Sequence, residues 1–271
     1  QFFRSTATNF IGGVPFDITT FPVTDPVAQA LGASPLDAEE SENFSLGAVL
    51  QLGRASLTID AYQINIDNRI VLSENLTAAN VRAYLTSLGF IGVGGGRFFI
   101  NGVDTETQGV DVVASVPFET GSAGRFDLTL AANFNSTDVT RVPTTAPLAA
   151  LSPAPVLFDR LNVKAFEEGQ PENKFSASVN WRLDRFGATL RATRYGDSLY
   201  NDSNVAANDF VIGAATLVDL EARFALTDNV RFALGAENLT DEYPESLPAT
   251  TLNLTGTQAF PKRLSRHHLT Q

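Results

Sequence analysis

The chain has 271 residues, with 30 acidic and 19 basic side chains, a formal net charge of −11, 20 Gly, 20 Phe and neither Cys nor Met. Without Cys there is no disulfide scaffold, thiolate zinc site or cysteine nucleophile, and the acidic balance sets nucleic acid aside as a partner, because phosphate binding needs clustered Lys and Arg. No stretch approaches the ~18 uninterrupted apolar residues of a membrane helix, and the richest, Leu148 to Phe158, is broken by Pro153 and Pro155. Crossing a membrane by strands stays open.

Residues Gln1–Phe3 read as the end of an earlier strand, and a start at Gln1 reads as a fragment of something longer. Residues 10–42 form a long polar loop. Within it, Asp25 followed by Pro26 predicts a capped helical turn running from Val27 to Leu31 and ending at Gly32. Strict alternation then begins, with Phe44, Leu46, Ala48, Leu50 and Leu52 on one face. After a turn at Gly53–Ala55, Leu57, Ile59 and Ala61 continue the pattern. The apolar parity then shifts to Tyr62, Ile64 and Ile66, which predicts a bulge or an exit from the buried zone.

Residues 68–98 make a second long loop. Thr77 is expected to cap a helix in it whose Val81, Tyr84, Leu85 and Leu88 share a face, with Gly89 as its stop. Val110, Val112, Ala114 and Val116 mark the next strand, and Gly121–Ser122–Ala123–Gly124 lies in a hairpin turn at Glu119–Gly124. Phe126, Leu128, Leu130, Ala132 and Phe134 alternate with Asp127, Thr129, Ala131, Asn133 and Asn135. Beyond the loop 143–172 come Phe175, Ala177, Val179, Trp181 and Leu183, a turn at Asp184–Arg185, and Phe186, Ala188, Leu190 and Ala192. Beyond the loop 196–215 come Val218, Leu220, Ala222, Phe224 and Leu226, a turn at Thr227–Asn229, and Val230, Phe232, Leu234 and Ala236. Residues 242–262 form the last long loop.

Eight strands in four hairpins, with short turns alternating with long loops, fit an all-β protein of one of two kinds. A soluble sandwich buries its apolar face against a second sheet, and nothing forces its short turns to one end. An antiparallel transmembrane β-barrel puts short turns at one membrane surface, long loops at the other, apolar residues toward lipid and polar ones toward the lumen. The alternation favours the barrel. A sandwich requires the Phe126 and Phe175 faces and Trp181 to pack between two sheets, whereas a barrel leaves them exposed in one band.

Specific strings add to the pattern. NFSLGAVLQ at 43–51, LTIDAYQINIDNRIV at 57–71, NGVDTETQGVDVVASV at 101–116 and GAENLTDEYP at 235–244 occur in that order and spacing. In these strings the chain resembles the C-terminal barrel of TonB-dependent receptors, through Asn43, Phe44, Gly109, Val110, Asp111, Glu237, Asn238, Leu239, Asp241 and Tyr243. The triplet Gly109–Val110–Asp111 stands where that family usually has Gly–Val–Glu. The resemblance implies residues 1–260 as part of a barrel of about 22 strands in the bacterial cell outer membrane, with its plug absent. Cut out alone, such a segment is an open curved sheet. Residues 261–271, KRLSRHHLTQ after Pro261, do not alternate as the family's last strand does, and read as a frameshifted or truncated tail.

The function so implied is not enzymatic. It is uptake of a scarce solute, such as an iron–siderophore complex, energised through TonB, whose contact segment is not in this chain. The implied partners are outer-membrane lipid, TonB and an extracellular small-molecule ligand, with no cofactor. An unplugged porin and a secreted β-sheet binding protein are the alternatives. Among chemistry-bearing residues, His267 and His268 are adjacent, so they point apart, and read as part of a solvated tail. The acidic run Asp37, Glu39, Glu40 and Glu42 lacks the pattern of a calcium loop. Arg182, Arg191, Arg223 and Arg231 face Asp127, Asp219 and Glu221 across the polar side, and are read as wall-bracing ion pairs rather than a path for an anionic chelate. Arg97, Phe98, Tyr195 and Tyr200 at loop bases are the candidates for touching a solute.

Overall fold

The computed structural model describes residues 4–11, 14–201, 203–243 and 245. Its strands are β1 (Ser5–Ile11), β2 (Val14–Phe21), β3 (Glu40–Leu52), β4 (Ala55–Leu72), β5 (Gly96–Glu119), β6 (Arg125–Arg141), β7 (Asn173–Leu183), β8 (Phe186–Tyr195), β9 (Ser198–Tyr200), β10 (Phe210–Ile212), β11 (Ala215–Ala225) and β12 (Arg231–Ala236). Four short helices lie between them: α1 (Pro26–Ala30), α2 (Ala79–Ser87), α3 (Ala146–Ala149) and α4 (Arg160–Glu167). Neighbours run β3, β4, β5, β6, β7, β8, β11, β12. These are the eight strands expected from the alternation, and the four short turns fall between the expected pairs. Residues 5–11 and 14–21 depart from expectation: they form the antiparallel pair β1–β2. Strand β2 then runs parallel to the start of β5, pairing Thr19 with Gly96, Thr20 with Arg97 and Phe21 with Phe98.

The chain divides into two compact units, residues 1–42, 64–106 and 138–163 in a loop unit, and residues 43–63, 107–137 and 164–271 in a sheet unit. Strands β4, β5 and β6 contribute to both. They are 18, 24 and 17 residues long, well beyond the ~9–11 needed to cross a membrane.

The loop unit holds the hydrophobic core. Phe21, Val27, Ala28, Leu31, Leu76, Val81, Leu85, Phe98, Leu148 and Leu157 form one buried cluster. Asp25 caps α1 as expected, its Oδ1 accepting from the Val27 N–H at 2.9 Å. For α2 the cap is Ala78, without a side-chain bond, and not Thr77. Leu76 bridges to Gly96, which holds Thr77 in the loop before the helix begins. Val81 and Leu85 face the core, but Leu88 is 49% exposed. The helix stops at Ser87, so Leu88 leaves the shared face, and Gly89 completes the stop at φ +90°.

The sheet unit keeps its apolar face outward. Phe175 is 38% exposed, Leu190 48%, Phe186 55% and Phe232 58%. No second sheet covers the Phe126–Phe175 face among the described residues, so the sandwich reading fails. Rings meet within the face instead, Phe118 stacked on Phe126 at 5.2 Å and Phe134 edge-on to Phe175 at 5.3 Å. The parity shift in β4 is not a bulge at Ala61–Tyr62. Tyr62 sits on the opposite, polar side with its ring over Gly109, where a Cβ would collide with that ring and lie 2.8 Å from the Phe134 carbonyl oxygen. An aromatic covering a strand glycine restores the packing that glycine lacks. The left-handed residue of β4 is Asn68, at φ +55°.

Candidate functional site

The polar parity of the sheet unit lines a hollow of about 790 Å³, with Asp60, Asp111, Asn133, Ser176, Arg191 and Asp219 among others from six strands. Its floor is hydrogen-bonded. Asn133 donates from Nδ2 to Asp111 Oδ1 at 2.6 Å, and Asn135 to Asn133 Oδ1 at 2.7 Å. Toward the short turns, Arg182 pairs with Asp127 at 2.7 Å across the β6–β7 register. Arg223 donates to Asn180 Oδ1 at 2.6 Å and Thr189 Oγ1 at 2.8 Å, with Glu221 at 3.2 Å. Ion pairing thus accounts for two of the inward arginines. Arg191 stands opposite Asp219 and Ser178 in register. It forms no ion pair among the described residues, and with Lys174 it is one of two cations in a hollow that also holds Asp60, Asp111, Asp219 and Glu237. Arg231 lies opposite Ala225.

The four loop-base candidates take different positions. Arg97 donates from Nε to Thr20 Oγ1 at 2.9 Å, so it ties β5 to β2. Phe98 is 0% exposed within the loop core; its ring has no surface to offer a solute, and the residue is packing. Tyr195 lines the hollow with Lys174 Nζ 5.0 Å from its ring. Tyr200 pairs with Phe210 in the small β9–β10 hairpin.

The motif positions have structural explanations. Asn43 and Phe44 lie on the edge strand β3, with Phe44 63% exposed. Gly109 admits the Tyr62 ring, Val110 faces outward, and Asp111 anchors Asn133. At the end of β12, Glu237 lines the hollow. Asn238 then adopts φ +50°, its Nδ2 donating to the Glu242 carbonyl at 2.9 Å and its Oδ1 accepting from the Glu242 N–H at 3.0 Å. Leu239 N–H returns to the Val218 carbonyl at 2.7 Å, and Asp241, at φ +53°, donates to Asn238 O at 2.9 Å. The Asn–Leu–x–Asp–x–Tyr string is therefore a turn that closes a strand, with Tyr243 44% exposed beyond it.

One feature of the loop unit escaped the sequence reading. Glu74 donates its N–H to the Leu157 carbonyl at 2.9 Å, and its half-buried carboxyl bonds to Asp159. Burial first, then that bond and the negative charge of Asp159, push Glu74 up to about 7. Asn162 completes the cluster, donating from Nδ2 to Glu74 and from its backbone N–H to Asp159 Oδ1 at 3.2 Å. No local pattern signals this contact, because Glu74 and its partners lie 83 or more residues apart in the chain. Among the described residues, no group of three or more His, Cys, Asp or Glu could hold a metal. His267, His268 and the tail 261–271 lie outside those residues.

An exposed apolar face, a polar hollow behind it, short turns between paired strands and long loops with their own core define a segment of a membrane-spanning β-barrel. Residues 2–239 match the family model described as TonB dependent receptor-like, beta-barrel; the chain belongs to that family, and its place is the bacterial outer membrane. Among solved structures it is similar to the FrpB iron transporter from Neisseria meningitidis, with a TM-score of 0.51 and 14% identity over 78% of this chain and 27% of that one. It is also similar to a variant of the ferric enterobactin receptor PfeA from Pseudomonas aeruginosa, with a TM-score of 0.52 and 13% identity over 76% of this chain and 26% of that one. The chain thus spans about a quarter of the length of those structures. No curated protein matches it.

Proposed function

We propose that these strands belong to an outer-membrane receptor that imports a scarce solute, such as an iron–siderophore complex, energised through TonB. On this reading residues 1–260 are barrel domain, the partners are lipid, TonB and an extracellular small molecule, and the protein is a transporter and not an enzyme. The observation that carries it is the split between two environments. The sheet offers an apolar face to lipid and a polar one to a lumen, while the loops pack around Phe98 and Leu85 into a core of their own. Loops with their own core suit recognition better than a free aqueous pore does. Such loops favour a receptor over an unplugged porin. On this reading Tyr195, Lys174 and Arg191 are side chains on the hollow that meet the solute.

The test is uptake of a radiolabelled ferric chelate by iron-starved cells carrying the intact gene, its deletion, and the intact gene without TonB. Loss of high-affinity uptake in both defective strains is expected. Uptake that survives loss of TonB, but not loss of the gene, would make the protein a passive pore.

A further inference from the structure

The outward face carries a cation as well as apolar side chains. In the ladder, Leu130, Ala177, Ala192 and Val218 form one transverse row, and Ala132, Phe175, Arg194 and Thr216 form the next row toward the loops. From the row of Phe126 and Trp181 to that of Ala132 is six residues along β6, roughly 20 Å at ~3.3 Å per residue. Tilted by ~40°, this rises about 15 Å along the barrel axis, more than half of the ~25 Å apolar band of such barrels. Arg194 therefore stands in the loop-side half of the band, beside Phe175. Among the described residues its guanidinium has no ion pair or hydrogen bond, unlike Arg182, Arg223 and Arg141 on the sheet's other positions.

Beneath Arg194 lies a groove of about 510 Å³ whose walls are Leu130 and Phe175 and whose floor is Ala132, Ala177 and Ala192. An unpaired guanidinium in the loop-side half of the band extends toward the membrane surface and is stable where it reaches a phosphate, which it grips with two parallel N–H groups. The groove leading away from it toward the membrane interior is lined by Leu130, Ala132, Ala177 and Ala192, apolar side chains that a hydrocarbon chain can lie along. We propose that this groove is a binding site for one phosphate-bearing lipid of the outer leaflet, with an acyl chain along Ala132, Ala177 and Ala192 and its phosphate on Arg194. The site rests on the outer-membrane placement and is independent of which solute the receptor imports.

The intact receptor, purified from outer membranes, is exchanged into mixed micelles holding dimyristoyl phosphatidylglycerol and dimyristoyl phosphatidylcholine in equal amounts, and retained lipids are weighed by native mass spectrometry. Wild type should retain the phosphatidylglycerol preferentially. Arg194→Gln should reduce that preference about tenfold, whereas Arg185→Gln, at the short-turn end, should leave it intact. Ala177→Leu, which fills the groove, should reduce retention of both lipids alike. Equal preference in wild type and Arg194→Gln overturns the proposal. So does displacement of the lipid by glycerol phosphate at equal concentration, which would mean a phosphate site without a chain-binding groove. Uptake of the ferric chelate is read in parallel, so that failure of the lipid site is distinguishable from failure of the transport reading.

Discussion

Replacing Glu74 with Gln is expected to remove a pH dependence from the docking of two long loops. In the native protein the Glu74–Asp159 pair holds a proton between its carboxyls, and the docked arrangement raises Glu74 from its ordinary 4.5 to about 7. A carboxyl whose pKa is raised by docking binds its proton more tightly when docked. The stabilisation is therefore complete below about pH 4.5 and is lost as pH rises through about 7. At full effect this rise is worth about 3 kcal/mol. Because the group is only half-buried, screening reduces it to about 1.5 kcal/mol, roughly a tenfold change in the docked fraction. Spin labels on Ile91 and Val156, which are 84% and 58% exposed, report the separation of the two loops by pulsed electron resonance in the intact receptor. The distance distribution should broaden between about pH 5 and pH 8 in the native protein and stay narrow in Glu74→Gln. A native distribution that does not change with pH, or a Glu74→Gln variant that responds as the native protein does, refutes the reasoning.

Phe98→Ala should destabilise the loop unit by about 3–5 kcal/mol, the cost of emptying a fully buried aromatic site, while leaving the membrane-spanning part of the sheet inserted. Protease should then cut within residues 76–95 or 145–158, and the barrel should still migrate as a folded band in unheated gels. Asn238→Ala should cost about 1–2 kcal/mol, through two lost hydrogen bonds and a strained left-handed residue, and Asn238→Gly about half of that. Both are measured as a lowered temperature of heat-modified migration, and equal effects would deny the left-handed contribution.

The sheet was legible because its signal is local. Alternation from Phe126 to Phe134 and from Phe175 to Leu183 assigns each residue to lipid or lumen without reference to any partner, and Asp25–Pro26 carries the start of α1 within two residues. The loop unit was not legible, for the opposite reason. Phe98 resembles an exposed loop-base aromatic until Phe21, Leu85 and Leu148 are brought to it from three other segments. The strand Val14–Phe21 has Pro15 and Pro22 at its margins and pairs its last three residues, Thr19–Phe21, with residues 96–98, a partner that no spacing rule points to. Tyr62 and Gly109 show the same limit at the level of single residues. The apolar ring on the polar side looks like a slip of register until the bare glycine beneath it is seen. The pair of Glu74 and Asp159 is likewise invisible along the chain.

The wide sequence separation within the loop core also dictates an order of assembly. Thr145 donates to the Leu31 carbonyl across 114 residues of chain, and the cluster around it draws on segments flanking β3 to β6. Closing such loops is entropically costly until the intervening strands have shortened them by pairing. The strands must therefore register first, and the apolar side chains of the loops gather last. Amide protection at Leu31 and Leu85 would then time the completion of the whole assembly, because their burial needs Leu148 and Leu157 from beyond β6.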